Sequence, residues 1–154
     1  MRPSEERALV VEDDRSWQQI LSEILTDAGL KVDLAESLGQ ATAGLRAAAH
    51  RLAIVDLSLG GSDHRNQDGL LVLDAVRRYD PGCVALLLTG FATVELAVSA
   101  LTEHGAFTCL RKETFRRAEF RDVISRALAD AHSRPGPDDT QAGDSPADRS
   151  FETG

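Results

Sequence analysis

The sequence RLAIVDLSLGG, residues 51–61, decides the fold class, because it contains a short apolar run that ends in a carboxylate. A continuous apolar run of this length is typical of a strand buried on both faces, as in a parallel sheet. The run ends at Asp56 and then becomes glycine-rich. A buried charge is costly unless something pairs with it, so Asp56 is a candidate functional residue.

Five short apolar runs predict strands, and segments with helical spacing lie between them. The predicted strands cover residues 8–12, 31–35, 52–56, 83–89 and 106–111. The apolar stripe of the fourth helix is predicted to consist of Val94, Ala97, Val98 and Leu101. A last helix is predicted from Thr114 to Ala131. The alternation of strand and helix predicts an α/β fold, a mostly parallel sheet with helices on both faces.

Length and charge limit the possible functions. The chain has 154 residues, with 17 Lys and Arg against 25 Asp and Glu and a net charge of −8. The absence of a basic stripe argues against nucleic-acid or anionic-membrane binding. No apolar run approaches the roughly 20 residues that span a bilayer, so we expect a cytoplasmic protein.

Composition also predicts the domain boundaries. Residues 1–6 form an N-terminal arm, residues 7–132 one folded domain, and residues 133–154 an acidic, Pro- and Gly-rich tail that is expected to be disordered. Cys83 and Cys109 lack CxxC spacing and partner histidines at metal-ligand intervals. We therefore expect both thiols to be reduced, buried and inert.

The ends of the predicted strands bring acids together. Asp56 closes the third strand, and Glu12 and Asp13 close the first, so their side chains meet where open parallel sheets bind ligands. Clustered carboxylates repel one another unless a cation is present, and Mg²⁺ suits such oxygen ligands. Thr89 and Lys112 end the fourth and fifth strands. A hydroxyl, a lysine and a metal around an aspartate predict a phosphoryl site with Asp56 as nucleophile.

Four motifs resemble those of the response-regulator receiver domains of two-component signalling. They are LVVEDD (9–14), AIVDLSL (53–59), LLLTG (86–90) and GAFTCLRK (105–112), and the resemblance covers roughly residues 7–131. It implies a chemotaxis-regulator-like domain. The implied fold is a doubly wound, flavodoxin-like five-stranded sheet with strand order 2-1-3-4-5.

The resemblance also implies a role for each site residue. Asp56 would accept a phosphoryl group from a histidine kinase or a phosphotransfer protein. Thr89 would contact a phosphoryl oxygen, and Lys112 would pair with Asp56 or its phosphate. The implied Mg²⁺ ligands are the carboxylates of Glu12, Asp13 and Asp56 and the backbone carbonyl of Ser58.

The chain departs from this family pattern around its lysine. Glu113 replaces the usual proline, so we expect the Lys112–Glu113 peptide bond to be trans. Cys109 occupies the position of the aromatic residue that swings inward on phosphorylation. Phe107, on the same strand face, or Phe91 could substitute for that aromatic residue.

A long loop after Asp56 is a further departure. Thirteen positions separate Asp56 from Gly69, roughly five more than the family pattern and more than common connections of about 2–6 residues. His64 and Arg65 would lie at the rim of the site. An exposed loop histidine without a role is the simpler interpretation of His64.

The leading hypothesis is a stand-alone phospho-acceptor switch. It would bind an output protein through residues 94–103 and 115–126, and would catalyse at most slow self-phosphorylation from small phosphodonors and self-dephosphorylation. The alternative is a phosphorylation-independent interaction module, which the unusual Cys109 and Glu113 favour. An aspartate-nucleophile phosphatase is disfavoured, because Ser58 stands where such enzymes need a second acid.

Overall fold

The computed structural model describes residues 6–57, 68–90 and 94–133, and a five-stranded parallel sheet forms its centre. The strands are β1 (Arg7–Val11), β2 (Lys31–Ala35), β3 (Leu52–Val55), β4 (Val84–Thr89) and β5 (Thr108–Arg111). Their order in the sheet is β2-β1-β3-β4-β5, and every neighbouring pair is parallel. This confirms the predicted doubly wound, flavodoxin-like fold.

Helices cover both faces of the sheet. They are α1 (Arg15–Asp27), α2 (Leu38–Ala47), α3 (Asp68–Tyr79), α4 (Val94–Thr102) and α5 (Arg117–Ser133), with a 3-10 turn at Lys112–Thr114. The α1/α5 cluster packs Ile24 and Phe120 against one face of the sheet. The α2–α4 cluster packs Leu45 and Leu73 against the other face. In the described ranges, no helix has the length and apolar character needed to cross a bilayer.

Strand register aligns the ends of the central strands. Val11 of β1 pairs with Val55 of β3, and Val55 pairs with Leu87 of β4. The backbone N–H of Asp56 donates to the carbonyl of Val11 over 2.9 Å. The residue after β3 is thus fastened to the end of β1, which brings the acids that follow the two strands to the same edge.

Local sequence signals fix the ends of α1 and α2. Asp14 is the N-cap of α1, where its carboxylate accepts hydrogen bonds from the backbone N–H groups of Ser16 and Trp17. Ser37 caps α2 in the same way. Gly29 follows α1 with φ of +92°, a left-handed conformation that favours glycine.

The face that α4 presents to the core differs from the prediction. Val98 and Leu101 are 52% and 42% exposed, whereas Ala100 is fully buried and Leu96 packs against the α2–α4 cluster. The predicted stripe is therefore wrong at Val98 and Leu101. Apolar residues occupy most positions of α4, so their spacing does not select one face.

The last helix starts later than predicted. Its first residue is Arg117 rather than Thr114, because Lys112–Thr114 form the 3-10 turn and Phe115 adopts an extended backbone with ψ of 132°. β2 has the predicted bounds, and the other strands differ from the predictions by one or two residues at an end. Glu12 and Asp56 therefore follow β1 and β3 rather than ending them. Residues 134–154, most of the predicted tail, lie outside the described part of the chain.

Charged residues form a paired network at the amino end of the sheet. Arg7 Nη1 donates to both carboxylate oxygens of Asp33, over 2.9 and 3.1 Å, and His50 Nε2 lies 2.8 Å from Asp33 Oδ2. Arg51 Nε donates to Glu6 over 3.2 Å. We call these four residues and Glu6 the amino-end network.

Asp80 lies beside this network and is almost fully buried. Its carboxylate accepts a hydrogen bond of 2.8 Å from the backbone N–H of His50. Burial raises the pKa of Asp80, an effect that the hydrogen bond and the positive charges of His50 and Arg51 oppose but do not cancel.

Candidate functional site

Three carboxylates meet at the carboxyl end of the sheet. Glu12 and Asp13 follow β1, Asp56 follows β3, and each offers an oxygen within 4.8 Å of the other two. Glu12 and Asp56 are only 2% and 6% exposed. The structure thus brings together the three acids that the strand ends predicted, in a largely buried cluster that we call the acid cluster.

Lys112 brings a positive charge to the acid cluster from the turn after β5. Its Nζ lies 2.7 Å from Glu12 Oε1 and 3.5 Å from Asp56 Oδ2. Its side chain is only 16% exposed. The peptide bonds of the described residues are all trans, the Lys112–Glu113 bond included, as predicted.

Thr89 is the last residue of β4, between β3 and β5 in the sheet. It is 1% exposed and pairs in register with Arg111, the residue before Lys112. The strand order therefore places Asp56, Thr89 and Lys112 on consecutive strand ends along one edge. The structure gathers five of the predicted site residues at that edge.

Hydrogen bonds from α1 hold Glu12 in place. Gln18 Nε2 donates to the backbone carbonyl of Glu12 over 2.7 Å and to Glu36 Oε2 over 3.3 Å. The backbone N–H of Asp14 donates to Glu12 Oε2 over 3.0 Å. Sequence reasoning missed Gln18; a polar residue beside the apolar stripe of α1, one turn before Leu21, was the available signal.

Trp17 lies beside Lys112, a contact that sequence reasoning also missed. Lys112 Nζ is 5.3 Å from the centroid of the tryptophan ring, within the range of a cation–π contact. The ring is also half-buried against the α1/α5 cluster.

Gly69 allows α3 to begin directly against the backbone beside Asp56. Its N–H donates to the carbonyl of Leu57 over 2.9 Å. A Cβ at this position would overlap the carbonyl oxygen of Asp56 and would lie 2.6 Å from Leu57 Cα. A residue larger than glycine does not fit unless the backbone that carries Asp56 moves.

The position of the family's switch aromatic holds a half-buried thiol. Cys109 packs against the α2–α4 cluster, and burial raises the pKa of its thiol. Cys83 is buried as predicted, but the prediction that Cys109 is fully buried is wrong; both cysteines are free. Phe107 precedes β5 and packs against the opposite α1/α5 cluster, so placing it on the same face as Cys109 was also wrong.

Four residues named from the sequence lie outside the described part of the chain. They are Ser58, His64, Arg65 and Phe91. The expected metal carbonyl of Ser58 and the rim roles of His64 and Arg65 stay predictions.

The described residues of the acid cluster carry more negative than positive charge. Among the described residues, three carboxylates of the acid cluster face one ammonium group, that of Lys112. Like charges at this separation repel one another, and an added cation relieves the repulsion. Carboxylate oxygens are the donors that Mg²⁺ prefers, so the residues present fit this ion.

Fold and site together define a doubly wound α/β protein with an acidic pocket and a lysine at the carboxyl ends of its strands. The family model for the response regulator receiver domain matches residues 8–125. The chain therefore belongs to the response regulator receiver domain family of two-component systems. Receiver domains bind Mg²⁺ at an acidic pocket, and the acid cluster is such a pocket.

Relatives and solved structures agree with this assignment. The chain is 30% identical over 129 residues to the photosynthetic apparatus regulatory protein RegA of Cereibacter sphaeroides, covering 84% of this chain and 65% of RegA. It is 32% identical to the transcriptional regulatory protein ZraR of Escherichia coli, covering 81% of this chain and 27% of ZraR. The chain thus spans about two thirds of the first relative and about a quarter of the second.

Two solved receiver domains align with this chain over almost the entire length of the solved domain. A CheY-like receiver domain protein from Methanospirillum hungatei aligns with a TM-score of 0.73 and 25% identity, covering 84% of this chain and 98% of that chain. The receiver domain of NtrX from Brucella abortus aligns with a TM-score of 0.68 and 31% identity, covering 79% and 98%.

Proposed function

We propose that this chain is a phospho-acceptor switch whose Asp56 takes a phosphoryl group from a histidine kinase or a phosphotransfer protein. The observation that carries the proposal is the buried Asp56 carboxylate, which shares a pocket with Glu12 and Asp13 and lies 3.5 Å from Lys112 Nζ. A carboxylate held among a cation and potential metal ligands has the surroundings of a nucleophile for phosphoryl transfer.

The proposed step exchanges one phosphorus bond for another. An Asp56 carboxylate oxygen attacks the phosphorus of a phosphohistidine and forms an O–P bond. The P–N bond breaks, and its electron pair stays with the imidazole, which takes up a proton. The product is a mixed carboxylic–phosphoric anhydride on Asp56, and attack by water on its phosphorus restores the carboxylate.

The surrounding residues would stabilise the added negative charge. Lys112 would move its ammonium group from Glu12 toward the phosphoryl oxygens, and the Thr89 hydroxyl would donate to one of them. Mg²⁺, when held by Glu12, Asp13 and Asp56 with the Ser58 carbonyl, would supply further positive charge to the same oxygens.

The output surface is proposed to be the face formed by α4, β5 and α5. Val98 and Leu101 are exposed there, which is compatible with binding a protein partner. Phosphorylation would shift the population between two arrangements of this face. Action in the cytoplasm is part of the proposal, because response regulators usually act there.

Intact-protein mass spectrometry tests the proposal. The wild-type chain is incubated with acetyl phosphate, with MgCl₂ or with EDTA, beside Asp56→Asn and Asp80→Asn. These two aspartates are matched in burial, at 6% and 5% exposure. Asp56 lies at the carboxyl end of the sheet, and Asp80 lies at the opposite, amino end. We expect one added phosphoryl group with MgCl₂ in the wild type and in Asp80→Asn, and none in Asp56→Asn.

The second candidate is an interaction module that works without phosphorylation. The thiol of Cys109 at the switch position favours it, because a small half-buried side chain cannot repeat the movement of an aromatic ring. A folded wild-type chain that gains no phosphoryl group in MgCl₂ would contradict the switch and favour this module.

A further inference from the structure

Trp17 is the single tryptophan of the chain. It borders the site through a contact with Lys112, the cation that the described residues provide to the acid cluster. The ammonium nitrogen lies 5.3 Å from the ring centroid, and tryptophan is the aromatic side chain that attracts cations most strongly. The contact is largely shielded from water, since the Lys112 side chain is 16% exposed. Shielding strengthens a cation–π contact.

The ring of Trp17 is held from two directions. In α1, its backbone N–H donates to the N-cap Asp14 over 3.2 Å. Its ring meets Phe115 edge to face, with centroids 5.0 Å apart and an interplanar angle of 89°. Phe115 in turn packs against Phe120 of α5, with centroids 5.2 Å apart. Trp17 is therefore a fixed surface against which the lysine rests.

Lys112, by contrast, has a long side chain with two acids within reach. A lysine stem loses roughly 1.5–2 kcal/mol of rotamer freedom when it is ordered. Its Nζ lies closer to Glu12 than to Asp56, by 2.7 against 3.5 Å. When Glu12 binds another cation, the ring of Trp17 remains as a contact of the ammonium group beside Asp56.

We propose that Trp17 is a positioning residue for phosphoryl transfer, holding the Lys112 ammonium over its ring and within reach of Asp56. The inference rests on the proposed function, because the ammonium is positioned for an incoming phosphoryl group. It assigns to α1 a second role in the site, beside the hydrogen bond that Gln18 donates to the backbone carbonyl of Glu12.

Phosphorylation rates test the role of Trp17. The rate with acetyl phosphate in saturating MgCl₂ is measured by mass spectrometry for the wild type, Trp17→Leu and Trp17→Phe. Loss of the ring in Trp17→Leu is expected to slow the reaction on the order of threefold to tenfold, and the weaker ring in Trp17→Phe to slow it about twofold. Equal rates in the wild type and Trp17→Leu would overturn the proposal.

Ile20→Ala is the matched control for lost packing. Ile20 lies one turn further along α1, is half-buried, and packs against the same α1/α5 cluster as Trp17. We expect its phosphorylation rate to stay within about twofold of the wild type, although removing a half-buried side chain destabilises the fold. A rate in Ile20→Ala as low as in Trp17→Leu would make Trp17 a packing residue only.

NMR separates this proposal from the proposed function, because it needs no phosphorylation. Over the ring face, the Lys112 ε-methylene protons should be shifted upfield in the wild type and should return to ordinary positions in Trp17→Leu. A phosphorylated wild type without this shift overturns the role of Trp17 alone. A wild type that shows the shift but gains no phosphoryl group overturns the phospho-acceptor function, and the positioning role with it.

Discussion

The two ends of the sheet both bury charge, but they balance it differently. In the amino-end network, Asp33 has Arg7 and His50 as partners, and Glu6 has Arg51. At the carboxyl end, the three acids of the acid cluster share Lys112 as the cation that the described residues provide. Paired charge stabilises a fold without attracting ligands, whereas an excess of one sign favours binding of the opposite sign. Among the described residues, this excess of negative charge distinguishes the carboxyl end of the sheet from the amino end.

Gly69→Ala is the largest expected disturbance, because it acts on the backbone beneath the acid cluster. The added methyl group would overlap backbone atoms of Asp56 and Leu57, which have no rotamer to move away. We expect a loss of about 3 kcal/mol in the free energy of unfolding, measured in urea.

Gly39→Ala is the matched control in the helix α2. A Cβ at Gly39 would meet only Ser37 Oγ, at 4.0 Å. This variant should gain roughly 0.5–1 kcal/mol, because alanine restricts the unfolded chain and favours a helix. Similar stabilities for the two alanine variants would contradict the close approach of α3 to Asp56.

Asp13→Asn tests the charge excess at the carboxyl end. Removing one of three like charges should raise the free energy of unfolding in EDTA on the order of 1 kcal/mol. MgCl₂ at a hundred times its Kd should stabilise the wild type by about 2.7 kcal/mol, and most of this gain should vanish in Asp13→Asn. An equal Mg²⁺ effect in both proteins would place the ion elsewhere.

Asp33→Asn applies the same charge removal to the balanced end. It takes a charged acceptor from Arg7 and from the buried His50, so we expect a loss of about 1–2 kcal/mol in the free energy of unfolding. The loss should be the same in MgCl₂ and in EDTA. A stabilisation like that of Asp13→Asn would remove the distinction between the two ends.

Asp80→Asn gives the smallest expected effect, which is a change in pH dependence. Burial raises the pKa of Asp80, so the native state holds this proton more tightly than the unfolded chain does. The stability it contributes is complete below the unfolded pKa of about 3.8 and is lost as the pH rises through the higher folded pKa. Asparagine can accept the same hydrogen bond from the backbone N–H of His50 but does not titrate in this range.

Urea unfolding at several pH values checks this sign. The free energy of unfolding of Asp80→Asn, relative to the wild type, should increase from about pH 3 to pH 7. A difference that stays constant with pH would mean that Asp80 titrates alike in the folded and unfolded chains.

Much of the fold and the acid cluster could be predicted, because both depend on patterns local in sequence. Strands buried on both faces produce uninterrupted apolar runs, and parallel pairing brings their ends, hence Glu12, Asp56 and Lys112, to one edge. The buried face of α4 could not be predicted, because most positions of this short helix are apolar. Tertiary packing determines which of them face the core.

Contacts between distant segments were also beyond the sequence. Trp17 meets Lys112 only because α1 and the turn after β5 lie on the same side of the sheet, and side-chain spacing within α1 carries no record of this. The packing of Phe107 could not be predicted either, because it depends on where β5 begins. Phe107 precedes the strand and packs against the α1/α5 cluster. Alternation predicts a face only within a strand.

The hydrogen bond from Gly69 to Leu57 has a consequence for insertions and deletions. It joins Leu57 directly to Gly69, the residues on either side of positions 58–68. Each doubling of a flexible loop costs only about 0.6 kcal/mol in closure entropy. Residues can therefore be added or removed between Ser58 and Gly69 at little cost to stability, which leaves this segment open to diversification while Asp56 stays in place.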